Sequence, residues 1–157
     1  MALVYLGIGT NLGNKEQNLQ VAITALSIEV GEVLLQSSFY ASEPWDFDSE
    51  NDFLNAVVLV QTILTPTDLL AKTQKLERKI GRTTKTTLEF ADRVIDIDIL
   101  LYDNIIIDEP ELKIPHQLLH LRDFVLIPLS EIAPNLVHPI INKTIVELNK
   151  MVEEKNP

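Results

Sequence analysis

Apolar positions recur along this chain with two periods, and the switches between them divide it into elements. Ala2 to Ile8 alternates loosely and runs into Gly9, the pattern of a strand closed by a turn. Asn14, with Gln17 three residues on, is a capping-box helix start, and Leu19, Ala22, Ile23 and Leu26 then fall on one helical face up to Gly31. Val33 to Tyr40 predicts a second strand, Ser42 to Asp52 a polar, acidic loop, and Phe53 to Thr62 a third strand. Thr65-Pro66-Thr67-Asp68 opens a second helix with a capping threonine, a proline in the first turn and an acid behind it. Its buried stripe is Leu69, Thr73, Leu76 and Ile80, and Gly81 stops it.

Residues 82 to 92 have no apolar period and read as a mobile loop. Arg93 to Tyr102 alternates most clearly of all, and Asp103-Asn104 turns it into Ile105 to Ile107. A short helix is predicted near Pro128 to Ile132, and a last one from Thr144, whose partner in a capping box is Glu147. The order strand, helix, strand, strand, helix, strand is the split βαβ arrangement. It predicts an α+β, ferredoxin-like βαββαβ sandwich with an added C-terminal hairpin and helix segment, forming one domain over residues 1–157. That fold serves many functions and selects none of them.

Composition narrows the classes. The chain has no cysteine, which removes disulfides and thiolate zinc sites and suits a reducing cytoplasm. No apolar run approaches the roughly 20 residues of a membrane span. The formal net charge is -10, which repels nucleic acid and anionic lipid. Against that background seven of the thirteen Lys and Arg residues lie between Lys72 and Arg93, accompanied only by Glu77, Glu89 and Asp92 as acids. Such a run is either a solvated helix face with its exit loop or a local site for a polyanion such as a triphosphate.

The residues with chemical potential are few. In Arg93-Val-Ile-Asp96-Ile-Asp98-Ile-Leu the strand period sends the isoleucines to one face and Asp96 and Asp98 to the other, their Cα atoms about 6.5 Å apart. The pair is either two acids on a wet face or a site for hard divalent cations. Aspartate is poor in strands and like charges on one face cost stability, which favours the cation. Gln74 and Glu77, at i and i+3 on the second helix, face one patch, as surface residues or as a polar wall. Pro115-His116 and Arg122-Asp-Phe124 fall in a loop, where an arginine can fork onto phosphate. Trp45, Phe53 and Phe124 stand at loop or strand-start positions. Asn55 interrupts an apolar strand, so these four are either ordinary packing or a slot that stacks and reads a flat heterocycle. Gly7-Ile-Gly9-Thr-Asn-Leu-Gly13 is not a dinucleotide fingerprint, because neither its spacing nor the following topology fits.

Taken together these residues resemble the 6-hydroxymethyl-7,8-dihydropterin pyrophosphokinases of folate biosynthesis. The similarity runs from Tyr5-Leu-Gly-Ile-Gly-Thr-Asn-Leu-Gly13 to Pro128-Leu-Ser-Glu-Ile-Ala-Pro134. Its most specific piece is Arg93-x-x-Asp96-x-Asp98-Ile-Leu, and Ser37-Ser-Phe-Tyr40, Phe53-Leu-Asn55, Gln74-x-x-Glu77, Gly81-Arg82, Pro115-His116 and Arg122-x-Phe124 match in order. The resemblance implies pyrophosphate transfer from ATP to the hydroxymethyl group of the pterin, with AMP released. It implies that Asp96 and Asp98 hold two Mg2+ ions, and that Arg82, Arg93, Asp96 and Asp98 are catalytic. Gln74, Glu77, Arg82, Arg93, Ile99, His116 and Arg122 would bind ATP, and Ser42, Trp45, Phe53, Asn55, Asp96 and Phe124 the pterin. Three loops, near 10 to 14, 43 to 52 and 82 to 92, would close over the substrates. A cytoplasmic monomer is expected, able to associate with other folate enzymes. The chain departs from the family pattern at Thr84, Glu89, Phe90, Asp92, Glu111 and Gln117. The competing reading of the residues is a non-catalytic ferredoxin-like module that binds a small anion or a divalent cation. An RNA-binding module is disfavoured by the acidic charge.

Overall fold

A computed structural model of the protein describes residues 1–45, 50–81 and 94–155. The elements run β1 (Ala2–Thr10), α1 (Lys15–Glu29), β2 (Gly31–Gln36), β3 (Tyr40–Ser42), β4 (Phe53–Thr62), α2 (Pro66–Gly81) and β5 (Asp96–Tyr102). They continue with β6 (Ile107–Asp108), β7 (Lys113–Ile114), a 3-10 turn (Leu119–Leu121), α3 (Asp123–Ile132) and α4 (Ile145–Lys155). The main sheet is antiparallel in the order β2-β4-β1-β5, with the short β3 also paired to β4. This is the ferredoxin-like order that the sequence of elements predicts.

The local signals explain where the helices start. The Asn14 side chain accepts from the Gln17 amide at 3.1 Å, and the Thr65 hydroxyl accepts from the Asp68 amide at 3.2 Å. Thr144 and Glu147 complete a reciprocal box. The Thr144 amide donates to Glu147 Oε1 at 2.9 Å, and the Glu147 amide donates to Thr144 Oγ1 at 3.2 Å. Gly31 does more than follow α1. A Cβ there would lie 2.0 Å from the carbonyl oxygen of Gln61, so only glycine lets β2 close against β4.

Three expectations are corrected. The strand expected over Val33 to Tyr40 breaks at Ser37. Gln36 pairs with Val58 and Tyr40 with Asn55, so four steps on one strand oppose three on the other. The buried Ser37 hydroxyl holds this bulge by accepting from the Val57 amide at 2.9 Å and donating to the Ser38 carbonyl at 2.8 Å. After the turn at Asp103, the chain does not return along β5. Ile107–Asp108 pairs instead with Lys113–Ile114 in a separate hairpin. Helix α3 begins at Asp123, five residues ahead of the expected start, and carries Pro128 inside it. The burial of Val125, Leu126, Pro128 and Leu129 outweighs the hydrogen bond that the proline removes.

The sheet has two differently covered faces. Val4, Leu6, Ile8, Ala56, Val58, Val60, Ile97 and Ile99 pack with α1 and α2 in one core. On the other face Val57, Leu100 and Leu101 pack with α3 and α4 in a second core. Helices α3 and α4 leave the rest of that face, above Gly7, Gly9, Asn55, Asp96 and Asp98, open as a cleft.

Candidate active site

The floor of the cleft is laid by strand register. Gly9 lies between Asn55 on β4 and Asp96 on β5, and Gly7 lies between Val57 and Asp98. Because side chains alternate along each strand, Asn55, Asp96 and Asp98 face the same side, while Ile97 and Ile99 are buried on the other. The two glycines contribute no side chain, so the carboxylate pair and the amide are separated by bare backbone. A Cβ on Gly9 would approach Asn55 Oδ1 to 3.1 Å and the Phe53 ring to 3.6 Å. The alternating Gly7 and Gly9 in β1 were the sequence signal for this close approach, which the motif comparison passed over.

A cavity of about 400 Å³ stands on this floor, walled by Ser42, Trp45, Phe53, Asn55, Arg122 and Phe124 among others. Asn55 is 5% exposed, and its amide nitrogen donates to Ser42 Oγ at 2.7 Å and to the Tyr40 carbonyl at 3.1 Å. These bonds turn its carbonyl oxygen over Gly9. Trp45 meets Phe124 edge-on with ring centroids 6.4 Å apart. The Arg122 guanidinium sits over both rings, 4.7 Å from the Trp45 centroid and 5.3 Å from that of Phe124, with Nη1 3.9 Å from Asp98. All six residues that the resemblance assigned to the pterin line this cavity, and so does Arg122, which it assigned to ATP.

A second cavity, of about 440 Å³, runs along the outer side of β5 between α2 and the β6–β7 hairpin. It is bordered by Gln74, Glu77, Ile99, Glu111, Lys113 and Gln117, and it shares Asp96, Asp98, His116 and Gln117 with the first. Gln74, Glu77, Ile99 and His116 therefore come together as expected. Arg82 and Arg93, with the departures at Thr84, Glu89, Phe90 and Asp92, lie outside the described residues.

The electrostatics of the shared wall are set by crowded acids. Glu77 accepts from the Ile97 amide at 2.9 Å, on the side of β5 that has no strand neighbour among the described residues. Burial, then the charge of Asp96 and a hydrogen bond with it, pushes the Glu77 carboxyl up to about 8, with Asp98 adding to the effect. His116 donates its backbone amide to the Leu100 carbonyl at 3.0 Å, and its Nδ1 accepts from the Leu118 amide at 3.1 Å. Burial, helped by the nearby Arg122, lowers the imidazole to about 4, so it is neutral here. Of the expected closing segments, the one near 10 to 14 meets the end of the one near 43 to 52, whose residues 46 to 49 lie outside the described residues. Asn11 donates to the Asn51 carbonyl at 3.2 Å and Lys15 to the Asp52 carbonyl at 3.0 Å. The segment at 82 to 92 lies outside the described residues.

The donor set fits magnesium. Asp96 and Asp98 offer hard carboxylate oxygens on one face, at the junction of two cavities. Burial together with their negative charge drives the neighbouring Glu77 carboxyl toward its protonated form. Among the described residues no cluster of three or more histidine, cysteine or acidic ligands forms, so a cation here would need substrate oxygens to complete its shell.

Fold and cleft together define a ferredoxin-like α+β protein whose sheet floors a two-chambered site with a carboxylate pair in the common wall. Residues 5–134 match the family model described as 7,8-dihydro-6-hydroxymethylpterin-pyrophosphokinase, and the chain belongs to that family. It is 48% identical over 141 residues to a 2-amino-4-hydroxy-6-hydroxymethyldihydropteridine pyrophosphokinase of Porphyromonas gingivalis, covering 88% of this chain and 95% of that one. It is 43% identical over 147 residues to the protein of the same name from Aquifex aeolicus, covering 94% and 90%. A crystal structure of Plasmodium falciparum HPPK-DHPS shares the fold with a TM-score of 0.80 at 16% identity, and this chain spans 46% of its length.

Proposed function

We propose that the chain catalyses the reaction for which its family is named, with the cavity over the sheet taking the pterin and the cavity along β5 taking ATP. The hydroxymethyl oxygen attacks the β-phosphorus, the bond from that phosphorus to the α–β bridging oxygen breaks, and AMP leaves. The observation that carries this reading is the common wall. Among the described residues, the two cavities share Asp96, Asp98, His116 and Gln117 and no others, so ligands in the two would react there.

Each chamber suits its substrate. A pterin is flat and carries N–H donors along one edge. Asn55 offers its carbonyl oxygen to that edge, and Phe53, Phe124 and Trp45 offer ring faces. The ring enters the slot that Arg122 occupies, so the guanidinium must leave Trp45 and Phe124 and become available to phosphate. On the other side Gln74, the Ile99 backbone and neutral His116 border the nucleotide, and Arg82 and Arg93 add charge for the phosphates. Asp96 and Asp98 would hold two magnesium ions, which supply charge neutralisation of the triphosphate. A cytoplasmic monomer is the state proposed for the chain.

The test is AMP formation from ATP and 6-hydroxymethyl-7,8-dihydropterin with equimolar pterin pyrophosphate. Excess EDTA should abolish it and magnesium restore it. Asp98→Asn should keep the fold and lower turnover by roughly two orders of magnitude or more, because one ligand charge is gone. A purified Asp98→Asn protein that turns over at the wild-type rate would overturn the metal assignment.

A further inference from the structure

Two stretches of the sequence that the reaction does not use, Ser37-Ser-Phe-Tyr40 and Pro128-Leu-Ser-Glu131, meet in the structure. The Glu131 carboxylate on α3 accepts four contacts from the bulge and strand on the far side of the cleft. The Ser38 amide donates to Oε1 at 2.9 Å and to Oε2 at 3.2 Å. The Ser38 hydroxyl donates to Oε2 at 3.0 Å, and the Tyr40 hydroxyl to Oε1 at 2.8 Å. Desolvation would raise the Glu131 carboxyl, but these donors outweigh it and hold the group ionised below its usual range.

We propose that Glu131 is a positioning residue for substrate recognition, setting β3 so that Asn55 presents its carbonyl oxygen to the heterocycle. The chain of contacts is short. Glu131 grips Ser38 and the Tyr40 side chain, the Tyr40 carbonyl and Ser42 Oγ accept both amide hydrogens of Asn55, and Asn55 Oδ1 is thereby turned over Gly9. Among the described residues β3 has three residues and pairs with β4 alone, so its own ladder holds it weakly. The bulge at Ser37 frees it further from the line of β2. The same α3 that carries Glu131 begins at the Phe124 wall, so the strap joins the stacking wall to the reading wall of one cavity. Without it the Asn55 amide keeps its burial but loses its fixed orientation.

This inference rests on the pterin reading of that cavity, and the experiment separates the two. Affinity for 6-hydroxymethylpterin and for a non-hydrolysable ATP analogue with magnesium would be measured by calorimetry. The variants are Asn55→Ala, Glu131→Ala, Glu131→Gln, Tyr40→Phe and the double variant Asn55→Ala/Glu131→Ala. Glu131→Ala should weaken pterin binding about tenfold, the scale of one well-placed hydrogen bond, and leave the nucleotide analogue unaffected. Glu131→Gln, which still accepts from Ser38, should recover part of the loss, and Tyr40→Phe should show a smaller loss of the same kind. The double variant should bind the pterin no worse than Asn55→Ala alone, because Glu131 acts through that amide. If Asn55→Ala weakens pterin binding and Glu131→Ala does not, or if their effects add, the strap is overturned and the pterin pocket stands. If Asn55→Ala leaves pterin binding unchanged, the pocket assignment fails and the strap's role fails with it. Equal weakening of both ligands in Glu131→Ala and Tyr40→Phe would make Glu131 a support of the whole fold and overturn a role in recognition.

Discussion

Burial, with the Arg122 guanidinium beside it, lowers the His116 imidazole to about 4, and its Nδ1 is committed as an acceptor from Leu118. In the unfolded chain the same group titrates near 6.5. Between those values the unfolded chain binds a proton that the folded chain refuses, so this contribution is whole above about pH 6.5 and is lost as the pH falls toward 4. It is worth on the order of 3 kcal/mol. The His116 ring resonances should stay in the neutral form down to about pH 5 by NMR, and His116→Gln should flatten the fall in thermal stability between pH 6.5 and 4. A His116 that titrates near 6.5 would refute the burial account. At this scale Asp96, Asp98 and Asn55 were legible, because a period of two assigns each to a face. The role of Glu131 was not, because its partners Ser38 and Tyr40 lie 93 and 91 residues away and nothing local distinguishes it from any exposed helical acid.

At the scale of elements, β1 is the strand on which the site depends. It runs between β4 and β5, and its glycines leave the gap between the amide and the carboxylates. Gly9→Val should therefore fold, because its side chain would point into the open cleft rather than into either core. It should weaken pterin binding by about tenfold or more, because the new methyl groups take the space above the floor and push Asn55 aside. Nucleotide binding should change little, and pterin binding unchanged in this variant would remove the glycine floor from the site. β4 spans the residues that its near-continuous apolar run predicts, since it is paired on both sides and buried on both faces. β2 and β3 were read as one strand because the break at Ser37 is made by the opposing Val57, not by a turn residue. α3 was read short because Pro128 suggests a first turn, whereas packing of Val125, Leu126 and Leu129 carries the helix through it.

Across the whole molecule the two chambers share a wall, so ligands bound as proposed should not bind independently. A pterin that displaces Arg122 from the aromatic slot releases a cation beside Asp98, where the phosphates are proposed to lie. Each ligand should then raise the affinity of the other by the same factor. Trp45, the chain's one tryptophan, stands in the slot and reports on it. Its emission should shift little with ATP analogue and magnesium, and strongly when a pterin is added. A titration in which emission ignores both ligands, or in which the two affinities do not change reciprocally, would refute the shared-wall coupling.

The sequence by itself determined the order of the main strands and helices, the ferredoxin-like class, the caps that open α1, α2 and α4, and the facing of the carboxylate pair. Each is decided within a few residues by alternation, capping or turn chemistry, so each can be read along the chain. Only the tertiary structure decided that Gly7 and Gly9 separate Asn55 from Asp96 and Asp98, and that Arg122 stands in the aromatic slot rather than in the second chamber. It also decided that Glu131 straps α3 to β3. These are relations between strands and helices far apart in the chain. They follow from register and from which side of the sheet each helix covers, and no local period encodes either.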